Sequence, residues 1–183
     1  MYILNFDGLF REHTEISESG KAAGVMCYGW LITEDQEVIA RGLGSYTHRE
    51  VASSNGAEYL ALIEGLEALR LLGLKNEPVL IEGDSRSVID QMQGVAEVSS
   101  CRIKTLHRKA LRLSQNMAHL HWLWVPRGQN KAADKLTRDA LRNVRRGPIE
   151  ILSTIGATKR SGGFRLISDL MVCQKPARAA LKY

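Results

Sequence analysis

The apolar positions of this chain follow two different rhythms. Up to Tyr46 they form short runs separated by polar breaks. Tyr2 to Phe6 reads as a strand ending at Asp7-Gly8, and Leu9 to Ala23 as a long polar excursion. Val25 to Ile32, rich in aromatic and β-branched residues, reads as a second strand, and Glu34-Asp35-Gln36 turns into a third, Val38 to Tyr46. Three strands in succession with no helix between them call for an antiparallel meander.

From Ser53 onward the spacing becomes helical. Ser53-Ser54-Asn55 offers several N-caps. Ala57 to Leu72 then carries Leu62, Leu66 and Leu69 on one face, with Ile63 beside them, and Gly73 terminates it. Pro78-Val79-Leu80-Ile81 reads as a short buried strand that stops at a carboxylate, Asp84. Ser85 caps a helix to Gln93, closed by Gly94. Ser99 or Ser100 caps a basic helix to about Asn116, with Ile103, Leu106, Ala110 and Leu113 inward. His119 to Val125 is a strand whose Trp122 and Trp124 read as core. After the loop Pro126–Gln129, Asn130 caps a last helix to about Val144, with Ala133, Leu136, Ala140 and Leu141 inward. The order β-β-β-α-β-α-α-β-α predicts an α/β fold. Its mixed five-stranded sheet, three antiparallel strands then two parallel-type strands, is flanked by helices. Gly147-Pro148 marks a boundary between a domain of residues 1–146 and a C-terminal extension, 147–183, in which Phe164-Arg165-Leu166-Ile167 is the candidate for order.

Composition narrows the setting. A hydrophobic content of 44% supports a core, and 25% charged residues is ordinary for a soluble chain. No apolar run of about 18 residues is present, so no membrane partner is expected. The N-terminus has neither the basic region nor the cleavage site of a signal peptide. Cys27, Cys101 and Cys173 are far apart, odd in number and in no CxxC pair, which argues against a disulfide framework or a zinc site and fits a reducing cytoplasm; a monomer is expected. Of the net charge of +5, residues 147–183 carry +4, leaving +1 for the rest. A near-neutral domain with a basic tail fits a polyanionic partner, or a tail that merely solubilises.

Four acids stand at element boundaries. Asp7 ends the first strand, Glu58 lies in the first turn of the first long helix, Asp84 ends the fourth strand, and Asp134 lies early in the last helix. Adjacent first and fourth strands would put Asp7 and Asp84 side by side, with Glu58 and Asp134 reaching the same spot from helix starts. Unpaired carboxylates gathered at one spot repel, and divalent cations relieve that repulsion; an all-oxygen set suits Mg²⁺ or Mn²⁺ rather than zinc. Two such ions would stabilise the attacking and leaving oxygens of phosphodiester cleavage. Taken singly, each acid is equally an ordinary cap or surface charge.

The motifs taken together resemble the type 1 ribonuclease H family over roughly residues 1–146. They are Phe6-Asp7-Gly8, Tyr28-Gly29-Trp30, Ser53-Ser54-Asn55-Gly56-Ala57-Glu58-Tyr59-Leu60-Ala61-Leu62, Gly83-Asp84-Ser85, Val125-Pro126-Arg127 and Asn130-Lys131-Ala132-Ala133-Asp134. The resemblance implies a ribonuclease H-like fold and a site of two Mg²⁺ ions (Mn²⁺ as an alternative) held by Asp7, Glu58, Asp84 and Asp134. It implies an endonuclease that cuts the RNA strand of RNA–DNA hybrids, leaving a 5′-phosphate and a 3′-hydroxyl. Asp7 would bridge both ions, Glu58 and Asp84 would complete the leaving-side ion, and Asp134 would hold the water-activating one. By the same resemblance Gly8, Ser54, Asn55, Arg127 and Asn130 lie on the substrate side. Asn55 falls where a side-chain amide meets a ribose 2′-hydroxyl, and it is also a candidate helix cap.

The chain departs from the family pattern in several places. Leu9 follows Asp-Gly where a serine is common, and the long excursion replaces a short Gly-rich connection. Ser54 and Gly56 replace Asn and Arg, and the loop Arg127-Gly128-Gln129 has no histidine. Arg127 is either a phosphate contact or a plain surface cation. The basic protrusion of some members has no room here. Substrate grip would come from the helix with Arg102, Lys104, His107, Arg108, Lys109 and Arg112, or from the tail, unless those charges are a solvated face. Two alternatives stay open: a nuclease of this fold acting on double-stranded RNA or DNA, and a non-catalytic nucleic-acid-binding module.

Overall fold

In a computed structural model that describes residues 1–16, 22–46, 52–145, 165–166 and 171–172, the strands are β1 (Tyr2–Ile16), β2 (Ala22–Glu34), β3 (Glu37–Tyr46), β4 (Pro78–Gly83) and β5 (His119–Trp124). The helices are α1 (Ser54–Leu71), α2 (Arg86–Met92), α3 (Cys101–Ser114) and α4 (Lys131–Arg145). The sheet order is β5-β4-β1-β2-β3. β1 pairs antiparallel with β2 and parallel with β4, and β4 pairs parallel with β5. This is the mixed five-stranded sheet expected from the order of the elements. Two short strands, β6 (Arg165–Leu166) and β7 (Met171–Val172), pair antiparallel with β3.

Alternation along β2 sorts the two faces. Tyr28, Trp30 and Ile32 join Leu4 and Phe6 of β1 and Tyr59, Leu62, Leu66 and Leu69 of α1 in the main core. Val25 and Cys27 turn the other way and meet Ala140 of α4. The helices therefore clasp the sheet from both sides, with α3 and α2 packed beyond α1. Gly29 lets α4 lie directly on β2: a Cβ there would come within 2.6 Å of Leu136 and 2.7 Å of the Thr137 nitrogen. The β2–β3 turn places Asp35 and Gln36 at φ 50° and 73°, the left-handed pair of a tight hairpin.

Two expectations are corrected. β1 does not stop at Asp7-Gly8; it runs on to Ile16, paired with β2 as far as Glu12↔Gly24 with a register shift before Ile16↔Ala22. The polar excursion is thus an extended hairpin where it is described, and residues 17–21 lie outside the described residues. Phe10 covers Gly24 there, where a Cβ would come within 2.2 Å of the ring. Trp124 is not core: it is 39% exposed, because β5 is the edge strand and leaves its end open. Trp122 is partly buried against the main core, as expected. No helix among the described residues is long and apolar enough to cross a membrane.

Candidate active site

The site begins at the centre of the sheet. β1 and β4 are adjacent, with Phe6 opposite Gly83, so Asp7 and Asp84 emerge side by side. Asp7 therefore sits mid-strand, held by pairing to Gly29 of β2. The end of β4 is tied down by the Val125 N–H on the Gly83 carbonyl (3.0 Å) and the Trp124 indole N–H on the Asp84 carbonyl (3.1 Å). Arg86 covers the Trp124 ring at 5.4 Å.

Glu58 arrives from the first turn of α1. Ser53 is the N-cap, its hydroxyl accepting from the Gly56 N–H at 3.0 Å, so Asn55 is not the cap. Gly8 lets this turn approach β1: a Cβ on Gly8 would lie 2.2 Å from the Glu58 nitrogen and 2.3 Å from the Ala57 carbonyl carbon. The Gly8 N–H donates to the Glu58 carboxylate.

Carboxylate oxygens of Asp7, Glu58 and Asp84 lie within 4.8 Å of one another. Burial pushes Asp7 up to about 6, opposed by a hydrogen bond from Thr137 and reinforced by the charges of Asp84 and Asp134. Burial, with the charges of Asp7 and Asp84, raises Glu58 well above the usual carboxylate range. One Glu58 oxygen, Oε2, is buried without a hydrogen-bond partner among the described residues. Three crowded acids, two of them resisting ionisation and one oxygen orphaned, form an all-oxygen set that fits a hard divalent cation such as Mg²⁺ or Mn²⁺.

Asp134, the fourth acid, is not part of that trio. It lies in the first turn of α4, where Arg127 donates to it at 2.8 Å and Arg138, one turn on, approaches it at 2.7 Å. Burial pushes its carboxyl up, but hydrogen bonds from both arginines outweigh that and hold it below the ordinary value. Its charge nonetheless reaches Asp7.

The substrate-side residues separate. Ser54 is exposed, and Asn55 is half-buried with its Oδ1 unpartnered among the described residues. Arg127 is exposed beside the acids. Asn130 is corrected: it is 1% exposed, and its amide donates to the Phe6 carbonyl at 2.8 Å and to Asp84 Oδ1 at 3.1 Å. A residue read as a cap facing substrate is instead a buried strut between β1, Asp84 and α4. Thr137 went unnoticed in the sequence; its single hydroxyl proton is shared between the Asp7 carbonyl at 3.0 Å and the Ala133 carbonyl at 3.1 Å. Its place one turn after Ala133, on the buried face of α4, was the available signal.

A family model described as reverse transcriptase-like matches residues 5–140. The chain belongs to this family. Its relatives bear out the likeness to type 1 ribonuclease H. It is 29% identical over 139 residues to the bifunctional protein Rv2228c of Mycobacterium tuberculosis, covering 76% of this chain and 35% of that protein. The N-terminal RNase H domain of Rv2228c, solved as a fusion with maltose binding protein, superposes with a TM-score of 0.66 at 27% identity, covering 79% of this chain and 96% of that one. Ribonuclease HI of Halobacterium salinarum is 32% identical over 119 residues, 64% of this chain and 57% of that one. LC11-RNase H1, solved in complex with an RNA/DNA hybrid, gives a TM-score of 0.67 at 26% identity, covering 79% of this chain and 99% of that one. The chain thus spans about a third of the length of Rv2228c and over half that of the Halobacterium protein.

Proposed function

We propose that this chain is a metal-dependent endonuclease that hydrolyses the RNA strand of RNA–DNA hybrids, leaving a 5′-phosphate and a 3′-hydroxyl. The observation that carries the reading is the meeting of Asp7, Glu58 and Asp84 within 4.8 Å around an unpartnered Glu58 oxygen. The likeness to LC11-RNase H1, which was solved with a hybrid, supports the substrate class. Two Mg²⁺ or Mn²⁺ ions would be held by Asp7, Glu58, Asp84 and Asp134. When bound, they supply activated water and neutralise charge on the scissile phosphate.

The chain's own residues do the rest. Asn130, Trp124 and Val125 fix the end of β4 so that Asp84 keeps its place beside Asp7. Gly8 brings Glu58 to both. Arg127, 66% exposed and touching the acids' edge, would pass from Asp134 to a substrate phosphate. Asn55, relieved of capping by Ser53, has an amide available to a ribose 2′-hydroxyl.

The test is cleavage of labelled RNA–DNA hybrid, duplex RNA and duplex DNA, with Mg²⁺, by the wild type and by Asp84→Asn. Hybrid cleavage lost in Asp84→Asn with the fold retained is the expected result. An active Asp84→Asn protein overturns the site, and equal cleavage of the other duplexes overturns the specificity.

A further inference from the structure

The outer face of α3 has an unusual charge pattern. The helix contains no acid, and Lys104, Arg108 and Arg112 recur at four-residue spacing, so they stack in one row on one side. All three are exposed. Lys109 on the neighbouring flank is neutralised by Glu67 at 2.6 Å, whereas none of the three in the row joins an ion pair among the described residues. Like charges at this spacing repel one another along the helix.

Two shallow depressions flank the row and meet at Arg108. One, about 530 Å³, is lined by Lys104, His107 and Arg108 with Gln91, Gly94, Val98 and one acid, Glu97, which makes no ion pair with the row among the described residues. The other, about 430 Å³, is lined by Arg108 and Arg112 with Leu111 and Gln115. Contacts from α1 hold α3 and the end of α2 in place beneath the row. The Tyr59 hydroxyl donates to Gln91 at 2.8 Å, its ring meets His107 edge-on at 5.9 Å, and Tyr59 directly follows Glu58.

From this geometry we infer that Lys104, Arg108 and Arg112 bind successive backbone phosphates of the nucleic-acid duplex, outside the carboxylate site. The inference rests on the nuclease reading above. The row rises roughly 12 Å along α3, at about 1.5 Å per residue. Duplex nucleic acid carries one phosphate per about 3.4 Å of each strand, so the row spans about three phosphates of one strand. A protein partner would call for aromatic anchors, and α3 contains no Phe, Tyr or Trp. Polar, sequence-blind contacts of this kind position a duplex without reading its bases.

The test measures binding of labelled hybrid in EDTA, where a metal-dependent site is idle, over a range of salt concentrations. Each phosphate contact contributes a slope of about −0.9 to log Kobs against log[salt]. The Lys104→Gln/Arg108→Gln/Arg112→Gln protein should lose about 2–3 units of slope and Arg108→Gln about 1. A control with Arg70→Gln and Lys75→Gln, removing charges from the end of α1 and the turn after it, should hold the wild-type slope. A slope unchanged in the triple variant, or reduced as much in the control, overturns the inference. Hybrid cleavage by the wild type with Mg²⁺, run alongside, tests the nuclease reading by itself. If cleavage is absent while the triple variant still loses slope, that reading falls and the phosphate row stands.

Discussion

The Asn130 side-chain amide is shared between the Asp84 carboxylate, at 3.1 Å, and the Phe6 carbonyl, at 2.8 Å. A single buried group thereby locks the last helix to the two central strands at the point where the acids converge. Its other polar atom, Oδ1, has no partner among the described residues, so the amide orientation follows from its two donor bonds.

Asn130→Ala should remove both bonds and leave a buried carbonyl unpaired. Hydrogen bonds to charged groups contribute about 1.5–3 kcal/mol and neutral ones about 1 kcal/mol. Urea denaturation should show a loss of about 2–4 kcal/mol. Cleavage assays should show a fall in kcat with KM nearly constant, since the variant loosens Asp84 rather than the substrate face. An unchanged kcat would remove Asn130 from the positioning role.

The metal-free protein should lose stability as pH rises. Asp7 titrates near 6 in the folded chain, above the ordinary carboxylate value of 3.8, so between those values the folded state holds more protons than the unfolded one. The linkage slope is therefore negative, and roughly 3 kcal/mol disappears from about pH 4 to pH 7. Glu58 is displaced in the same direction and continues the loss at higher pH. Thermal unfolding in EDTA should fall across this range, and Mg²⁺ should flatten the curve. A flat curve in EDTA would contradict the burial of these acids.

Arg127→Ala should separate binding from folding. Arg127 is 66% exposed and Asp134 keeps Arg138, so stability should change by less than about 1 kcal/mol. A lost phosphate contact should lower kcat/KM for hybrid by about 10- to 100-fold. Wild-type kinetics in this variant would identify Arg127 as a plain surface cation.

Gly8→Ala should be disproportionately harmful for a single methyl. The atoms it would strike are backbone, the Glu58 nitrogen and the Ala57 carbonyl, which cannot rotate away. Overpacking of this kind costs about 1–3 kcal/mol. Calorimetry should show a lower Tm, and Mn²⁺ titration a weakened site because Glu58 is pushed from Asp7. Retention of both would show that α1 can slide.

Much of the fold was legible because its signals are local. Leu62, Leu66 and Leu69 mark one face of α1, the turn residues before Val38 mark a hairpin, and the acids Asp7, Glu58 and Asp84 point to the candidate site, although Asp7 lies mid-strand and not at a strand end. What escaped the sequence depends on partners remote along the chain. β1 continues past Gly8 because β2 offers pairing as far as Gly24, which the composition of Leu9–Ala23 does not reveal. Trp124 reads as core by chemistry and lies partly open by position, since an edge strand has a neighbour on one side only. Asn130 has the residue type and place of a cap, and its use as a strut is set by Phe6, 124 residues away. The arginines beside Asp134 were visible at helical and loop spacing, yet their pairing with its carboxylate, apart from the trio, requires coordinates.

The bonds from Asn130 to Phe6 and from Thr137 to Asp7 join positions 124 and 130 residues apart. The chemistry is therefore assembled from two elements, β1 and α4, that are separated in sequence by most of the described domain. Closing so long a loop is entropically slow, and its contacts reward the chain only after the intervening elements are in place. A growing chain would carry three of its four acids while lacking the helix that braces two of them. Metal affinity should appear late during synthesis or refolding, as a signature of the completed fold.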